Sequence, residues 1–534
     1  MRPDLHRLTS RTPMARRPAR VREAHSTSAT RRAPTPLPAD VIHVWGRRLS
    51  TVAGALDRTP PTLPAGRSTH SNWLDGALRG VVDATDPEQV WLALAVLTGV
   101  LPDDSVVEQV CREAEFNGER ALAEAVIAAT TVQTLRRPVR VARGETVVDV
   151  SQTLGQPYTT GIQRVVRETA TQWLSRGALP VSWTHDFDAI RACTSWETER
   201  VARKVPAPTD ASALAAEADR EPSVLVPWEG AYLTGEVLAE RARSNAVRGL
   251  ARYARCRTGA IGYDCVPIAS AETLIDWSGD TYSWHLAALR HFDHIAAISE
   301  AAAGEFRGWR AALAGQGRTG PDIDAVLLPA QLAPPTDDDL AIACSRFLVA
   351  DLPLVLVVGS TEPRKNHLAI LHAAELLWRE GAEFSLSFVG GRSWGSDEFG
   401  QRLRALQGSG RPVGTVSGIT DGVLAAAYRI ARFTAFPSLS EGYGLPVAES
   451  LALGTPVLTS GHGSMAEIAA GGGALLVNPR DDHDIASGMR RLLTDEPLMA
   501  RLRAEAAARP ATTWQWYSTQ VWHLLMATPP DERD

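Results

Sequence analysis

Two segments of this 534-residue sequence combine residue types that can grip an anionic, hydroxyl-rich ligand. The first, GSTEPRKN at 359–366, lies between an apolar run and a helical pattern. Gly359 permits tight backbone approach, and the amides and dipole at the start of the following helix favour an anion. Arg364 and Lys365 add two positive charges at the same place. Together these make a diphosphate cradle, although a surface turn with two solvated cations would use the same residues. Only two lysines, Lys204 and Lys365, stand among the 55 basic residues, so a lysine in this loop departs from the chain's habit. A compact ammonium suits a crowded phosphate site as a point charge.

The second segment, SLSEGYGLPVAESLALGTPVLTSG at 438–461, carries Glu441 and Glu449 eight residues apart. That spacing alone says little, because Glu221/Glu229 and Glu375/Glu383 repeat it. Context separates them. Glu441 precedes a glycine-rich loop at a strand end, where it can face a ligand. Pro446 suits the first position of a helix, which puts Glu449 in that helix's first turn. Gly442 and Gly444 leave amides for sugar hydroxyls or phosphate. Two carboxylates near one helix start can hold different hydroxyls of one long ligand; helix capping by acids beside a tight turn is the plainer alternative.

These segments need strands and helices to aim them. Short apolar runs at 146–150, 223–228, 259–268, 294–299 and 325–330 read as strands, with helical stretches such as GIQRVVRETATQWL between most of them. A second series follows at 352–359, 384–391, 413–419, 433–438, 455–461 and 474–479. Strands buried on both faces and separated by helices indicate parallel α/β sheets. Two doubly wound domains in tandem imply a cleft between them, with ligands at the carboxyl ends of the strands. The expected organisation is a disordered basic tail at 1–40, a helical extension at 41–140, an acceptor-side α/β domain at 141–333 and a linker at 334–350. A ligand-binding α/β domain at 351–505 and a bracing helix in 506–534 complete it. Ser71 is the expected cap of a helix in the extension.

Composition excludes several classes. Charged residues make up 22% and hydrophobic residues 44%, ordinary globular values. The net charge of −6 argues against a chain-wide nucleic-acid surface. Cys111, Cys193, Cys256, Cys265 and Cys344 are scattered, without the spacing of a zinc site or disulfide framework, which fits a reducing cytoplasm. The apolar run at 90–101 is too short to span a membrane and reads as a buried helix. The arginine-rich tail leaves room for peripheral contact with an anionic membrane at its inner face. Among 15 tryptophans, Trp228, Trp277 and Trp284 fall in the acceptor-side domain, where indole can stack on sugar or simply fill a core. Trp228, beside Glu229 after a strand, is the candidate acceptor contact.

PSLSEGYGLPVAESLALGTPV, preceded by VGSTEPRKN, resembles the C-terminal domain of retaining family 4 glycosyltransferases (glycosyl transferases group 1) over roughly 350–520. YTTGIQRVVRE at 158–168 and YDCVPI at 263–268 resemble the N-terminal domain of the same family, especially its mannosyltransferase-like members. The resemblance implies the GT-B fold, two Rossmann-like domains facing a cleft, here with an N-terminal helical extension. It implies that Arg364 and Lys365, with Gly359 and Ser360, hold the diphosphate of a nucleotide sugar. Glu441 would contact the transferred sugar beside the amides of Gly444 and Leu445, Glu449 would hold the ribose, and Gly161 would approach the donor from across the cleft. Asp264 stands where such enzymes bring a polar residue to the reacting centre, and Tyr263 replaces the histidine that many members carry just before it.

The implied reaction is transfer of a hexosyl group, mannosyl by resemblance, from a nucleotide sugar such as GDP-mannose. The acceptor is a glycan, lipid-linked sugar or polysaccharide, and the anomeric configuration is retained. No metal or other cofactor is expected, since Arg364, Lys365 and a helix start can stabilise the leaving diphosphate. The acidic triplet at 337–339 falls in the linker. Two rivals are another nucleotide-sugar enzyme of this fold, such as a hydrolysing epimerase, and a non-catalytic scaffold that keeps nucleotide-sugar binding.

Overall fold

A computed structural model describes residues 40–62, 70–155, 160–203, 223–274 and 278–527. Residues 1–39 of the tail expected at 1–40, and Tyr158, Lys204, Glu221 and Trp277, lie outside the described residues. In the extension, Asp86 accepts from the amides of Glu88 and Gln89 to open the helix Pro87–Thr98, whose apolar run is buried on every side. The helix His70–Leu78 contains Ser71 inside its first turn, so that serine does not cap it. The extension packs on the first α/β domain through Asp104, which takes Arg248 at 2.5 Å and Arg252 at 2.9 Å.

The first sheet has nine strands among the described residues: β1 Val139–Arg143, β2 Thr146–Asp149, β3 Leu179–Trp183, β4 Ile190–Ala192, β5 Val224–Trp228, β6 Ala231–Thr234, β7 Arg257–Gly262, β8 His294–Ala297 and β9 Asp322–Ala325. Their order is β1-β5-β4-β3-β2-β6-β7-β8-β9. Most pairs are parallel, but β4 runs antiparallel to β3 and β5, against the all-parallel expectation. Four strands, β1, β3, β4 and β6, carry no signal that was read in the sequence. β1 is a half-exposed VRVAR run without the continuous apolar character of a strand buried on both faces.

β1 and β2 are separated by two residues, as are β5 and β6, and the two pairs keep one register across both breaks: Val139 faces Val224 and Thr146 faces Ala231. They are one long, broken strand beside another. The predicted strand at 259–268 stops at Gly262, and Pro267 enters the short helix Val266–Ala269. The strand placed at 325–330 ends at Ala325 instead, and the following residues leave the sheet.

The second sheet contains β10 Leu354–Val358, β11 Ser385–Val389, β12 Val413–Val416, β13 Phe433–Phe436, β14 Val457–Ser460 and β15 Ala474–Val477 in the order β12-β11-β10-β13-β14-β15. All its pairs are parallel. One face is covered by the helices His367–Arg379 and Asp482–Thr494, the other by Asp337–Phe347 and Asp421–Ile430. The stretch expected as a linker at 334–350 therefore holds a helix of this domain. Thr336 caps it with Asp339 in a reciprocal pair, which gives the last acid of the triplet its role, and all three acids stand in the first turn. After the helix Glu496–Ala507 the chain crosses back, and the helix Trp514–Met526 lies on the first domain, where the Trp173 indole donates to Ser518 O at 3.1 Å.

Candidate active site

In the second sheet the chain reverses its winding direction between β10 and β13, which are neighbours with helices leaving to opposite sides. A crevice forms at the carboxyl ends of such a strand pair. The loops leaving these two ends, 359–366 and 437–444, are the two that sequence reading singled out.

Each loop has a local reason for its shape. Gly359 has φ 144°, and a Cβ there would sit 3.0 Å from the Lys365 side chain, so glycine lets that lysine fold back over the strand exit. Asn366 takes the left-handed conformation and sends its amide to Pro437 O at 3.1 Å and Pro479 O at 2.6 Å, tying one loop to the other. The Ser360 hydroxyl donates to Glu362.

Glu441 is the centre of the cluster. It receives Arg364 at 2.6 Å, Lys365 at 3.0 Å and the Ser438 hydroxyl at 3.0 Å. Burial pushes its carboxyl upward, but the two cations overcome that and bring it down to about 2. Arg364 also holds Glu362 at 2.9 Å and Ser440 O at 3.1 Å, and Lys365 lies over the Phe436 ring.

Glu449 lies one residue past the first turn in which it was expected, because the helix Leu445–Ala452 begins one residue before Pro446. Helical side chains lean toward the N-terminus. Glu449 is buried, and its carboxylate receives Arg164 at 2.6 Å and the Tyr428 hydroxyl at 3.0 Å. Burial raises this carboxyl despite Arg164, so two glutamates of one segment are driven in opposite directions. Gly444 and Leu445 stand at the helix start, where the first amides have no intrahelical acceptor.

The first domain supplies the opposite wall. A Cβ on Gly442 would lie 2.3 Å from Tyr263 O and 2.8 Å from the Asp264 carboxylate, so the two backbones touch there. Burial raises the Asp264 carboxyl to about 6, although Arg364 opposes it. Tyr263 donates its hydroxyl to Gly235 O at 2.6 Å, which anchors the turn carrying Asp264. Gly161, first residue of the helix Gly161–Leu174, faces Leu445. Further bonds close the wall: Ser299 donates to Gly442 O at 2.6 Å, Tyr443 to Leu328 O at 2.6 Å, and Glu467 accepts from the amides of Glu300 and Ala301 at the start of the helix Glu300–Ala314.

Trp228 is not in this wall. The strand that seemed to end there continues as β6, so Trp228 sits in the middle of the long broken strand, fully buried, with Arg255 stacked on its ring. Its neighbour Glu229 is held by Arg143 at 2.8 Å. The residue is core, and its place as an acceptor contact is withdrawn. Trp284 is half-buried on the helix Ser278–Leu289. Arg164, Tyr428, Glu362 and Ser438 were not singled out by sequence reading. Arg164 lies in the motif that contains Gly161, three residues on, which was the only signal available.

Residues 345–509, which hold every side chain of the second-domain cluster, match the family model of glycosyl transferases group 1. The chain is similar over that stretch to group 1 glycosyltransferases. Its fold is GT-B: Anabaena Alr3699/HepE in complex with UDP and glucose superposes with TM-score 0.52 at 14% identity, over 72% of this chain and 99% of that one. Serotype-specific mannosyltransferase WbdA of Escherichia coli is 26% identical over 327 residues, 58% of this chain and 38% of that protein. O-antigen chain mannosyltransferase B of Escherichia coli is 32% identical over 171 residues, 31% of this chain and 44% of that protein. The chain thus spans about two-fifths of the length of the first of these relatives. No helix among its described residues is long and apolar enough to cross a membrane.

Proposed function

We propose that this glycosyltransferase moves a hexosyl group from a nucleoside-diphosphate sugar to a hydroxyl of a glycan, lipid-linked sugar or polysaccharide, with retention at the anomeric carbon. The observation that carries the reading is the ionised Glu441 held by Arg364 and Lys365 at the strand switch, with Asp264 facing it from the other domain. The mannosyl assignment is supported by the likeness to mannosyltransferases, and GDP-mannose is the leading donor. The setting that fits is the cytoplasm, at the inner membrane face for a lipid-linked acceptor.

In this reading Arg364 and Lys365 hold the diphosphate beside Gly359 and Ser360. A guanidinium has five N–H donors and an ammonium three, more than their present partners use, so both can take phosphate oxygens without releasing Glu441. Glu441, with the amides of Gly444 and Leu445, orients the hydroxyls of the transferred sugar, and Glu449 holds the ribose with Gly161 close by. The bond between the anomeric carbon and the diphosphate oxygen breaks while the acceptor oxygen bonds to the same face. The acceptor's proton passes to the leaving phosphate oxygen. Preorganised cations at the leaving oxygen supply the main stabilisation, the role a metal ion serves in other sites. Tyr263 and Asp264 border the acceptor side.

Two measurements test this. Thermal melting with GDP, UDP, ADP and their sugars, with EDTA present, should give a clear rise for one nucleotide. At ~100-fold over Kd such a ligand adds about 2.7 kcal/mol to the folded state. The rise should vanish in Lys365→Ala; no rise with any nucleotide, or an undiminished one in the variant, counts against the site. Gly442→Ala should separate the cleft walls, because the new methyl would lie 2.3 Å from the Tyr263 carbonyl oxygen and 2.8 Å from the Asp264 carboxylate. A displacement of ~1 Å at a reacting centre costs ~100-fold in rate. Transfer kinetics should therefore show that loss with nucleotide binding retained, and unchanged turnover would mean that the walls need not close.

A further inference from the structure

Arg164 stands where four parts of the chain meet. It lies on the helix Gly161–Leu174 of the first domain, and its guanidinium reaches Glu449 in the second at 2.6 Å. Its other amino group donates to Gln331 O at 2.9 Å, in the segment that leads from the first domain to the second. Its flat face lies 5.7 Å from the Trp514 ring, at the start of the helix that returns from the second domain to the first. The Trp514 amide in turn donates to the Gln331 side chain at 3.0 Å. Both covalent crossings between the domains therefore touch the residue that holds Glu449. The carboxylate itself is 6% exposed and Arg164 is 19% exposed, so water screens the pair poorly.

A carboxylate offers about four lone-pair positions, and Arg164 and Tyr428 occupy one on each oxygen. Two remain for a vicinal pair of hydroxyls. Arg164 is thus a clamp that leaves half of the carboxylate's acceptor positions unused. If the domains part, the guanidinium leaves with the first domain and Glu449 keeps Tyr428 but loses its cation.

We infer that Arg164 is a positioning residue that makes the ribose-holding competence of Glu449 conditional on domain closure, coupling nucleotide binding in one domain to the placement of the other. The inference rests on the reading of Glu449 as a ribose ligand. The charged and titratable groups that face Glu449 are Arg164, Tyr428 and, farther off, Asp421. Burial already raises the Glu449 carboxyl, and removing Arg164 takes away the only cation among them. The ionised form that accepts hydroxyl protons should then be lost at higher pH than in the wild type.

The test is titration of the full chain with GDP, UDP and ADP in turn, near pH 8 and near pH 6, in wild type, Lys365→Ala, Arg164→Ala, Arg164→Lys, Glu449→Gln and Arg164→Ala/Glu449→Gln. For the nucleotide that wild type binds, Arg164→Ala should weaken binding ~10-fold or more, with a further loss at the lower pH that wild type does not show. Arg164→Lys should recover most of both, and Arg164→Ala should add little in the Glu449→Gln background. Should Arg164→Ala fail to fold, the lysine variant must still bind, with an affinity between those of wild type and Glu449→Gln. Wild-type affinity and pH profile in Arg164→Ala, or fully additive losses in the double variant, overturn the inference alone. No binding by wild type, or undiminished binding by Lys365→Ala, overturns the reading of the site and this inference with it.

Discussion

Replacing Glu441 with glutamine is expected to lower turnover by a factor of roughly 100–1,000, as removal of one preorganised charge-stabilising group does elsewhere. The side chain is nearly isosteric, so packing survives. What changes is charge and hydrogen bonding. The carboxylate now accepts from Arg364, Lys365 and Ser438. An amide keeps one acceptor oxygen and turns its nitrogen toward donors, so Arg364 and Lys365 lose their fixed positions and their counter-charge. A second consequence is acid sensitivity. The Glu441 carboxyl lies below the ordinary range, so its stabilising contribution is present above that range and is lost as pH falls toward about 2. The glutamine variant should lose that part of the acid-unfolding profile. Lys365→Ala should match it in turnover. Near-normal transfer rates in both variants would sink the catalytic assignment.

Arg243→Met should cost about 3–5 kcal/mol of stability, the usual result of leaving a buried charge without its partner. Arg243 is fully buried and donates to Asp149 at 2.8 Å and Glu236 at 2.9 Å, both also buried. Asp149 ends β2 and further receives Tyr232 at 2.7 Å and Trp183 at 2.8 Å. Glu236 follows β6 and accepts from the amides of Gln152 and Thr153, in the short helix Ser151–Gly155. With Arg243 gone, two carboxylates face each other in a dry space. Methionine fills the volume, so the loss measures charge. Urea unfolding midpoints of wild type and variant decide it, and a loss below about 1 kcal/mol would mean that the cluster takes up protons or water at little cost. Because the network fixes the carboxyl ends of β2 and β6, it also sets the first domain's side of the cleft.

The C-terminal site was legible because its chemistry is local. The loops at 359–366 and 437–444 each follow a strand whose apolar run is visible, and each carries its glycines, charges and helix start in one short stretch. The sequence pattern therefore determined a doubly wound second domain, the cation pair and the two glutamates. Glu449 falls one residue beyond the expected first turn because the helix starts at Leu445. Trp228 failed for the opposite reason. A local pattern of strand, tryptophan and acid looks like a strand end, but register with β1 and β2 continues it past Glu229 into β6. β3 and β4 were missed because their place is fixed by partners in the sheet, including an antiparallel reversal, and short runs of this kind have no period of their own.

The sequence by itself, then, decided which residues carry charge at the strand switch, since those lie within a few positions of the turns that aim them. Tertiary structure alone decided what faces them. Arg164 meets Glu449 across 285 residues of chain, Asp264 reaches Gly442 only because two domains close, and Asp149, Glu236 and Arg243 become a triad only where β2, β6 and a helix converge. A local motif records the conformation of its own backbone. A contact between distant segments is set by the packing of whole sheets and helices, and no spacing along the chain encodes it.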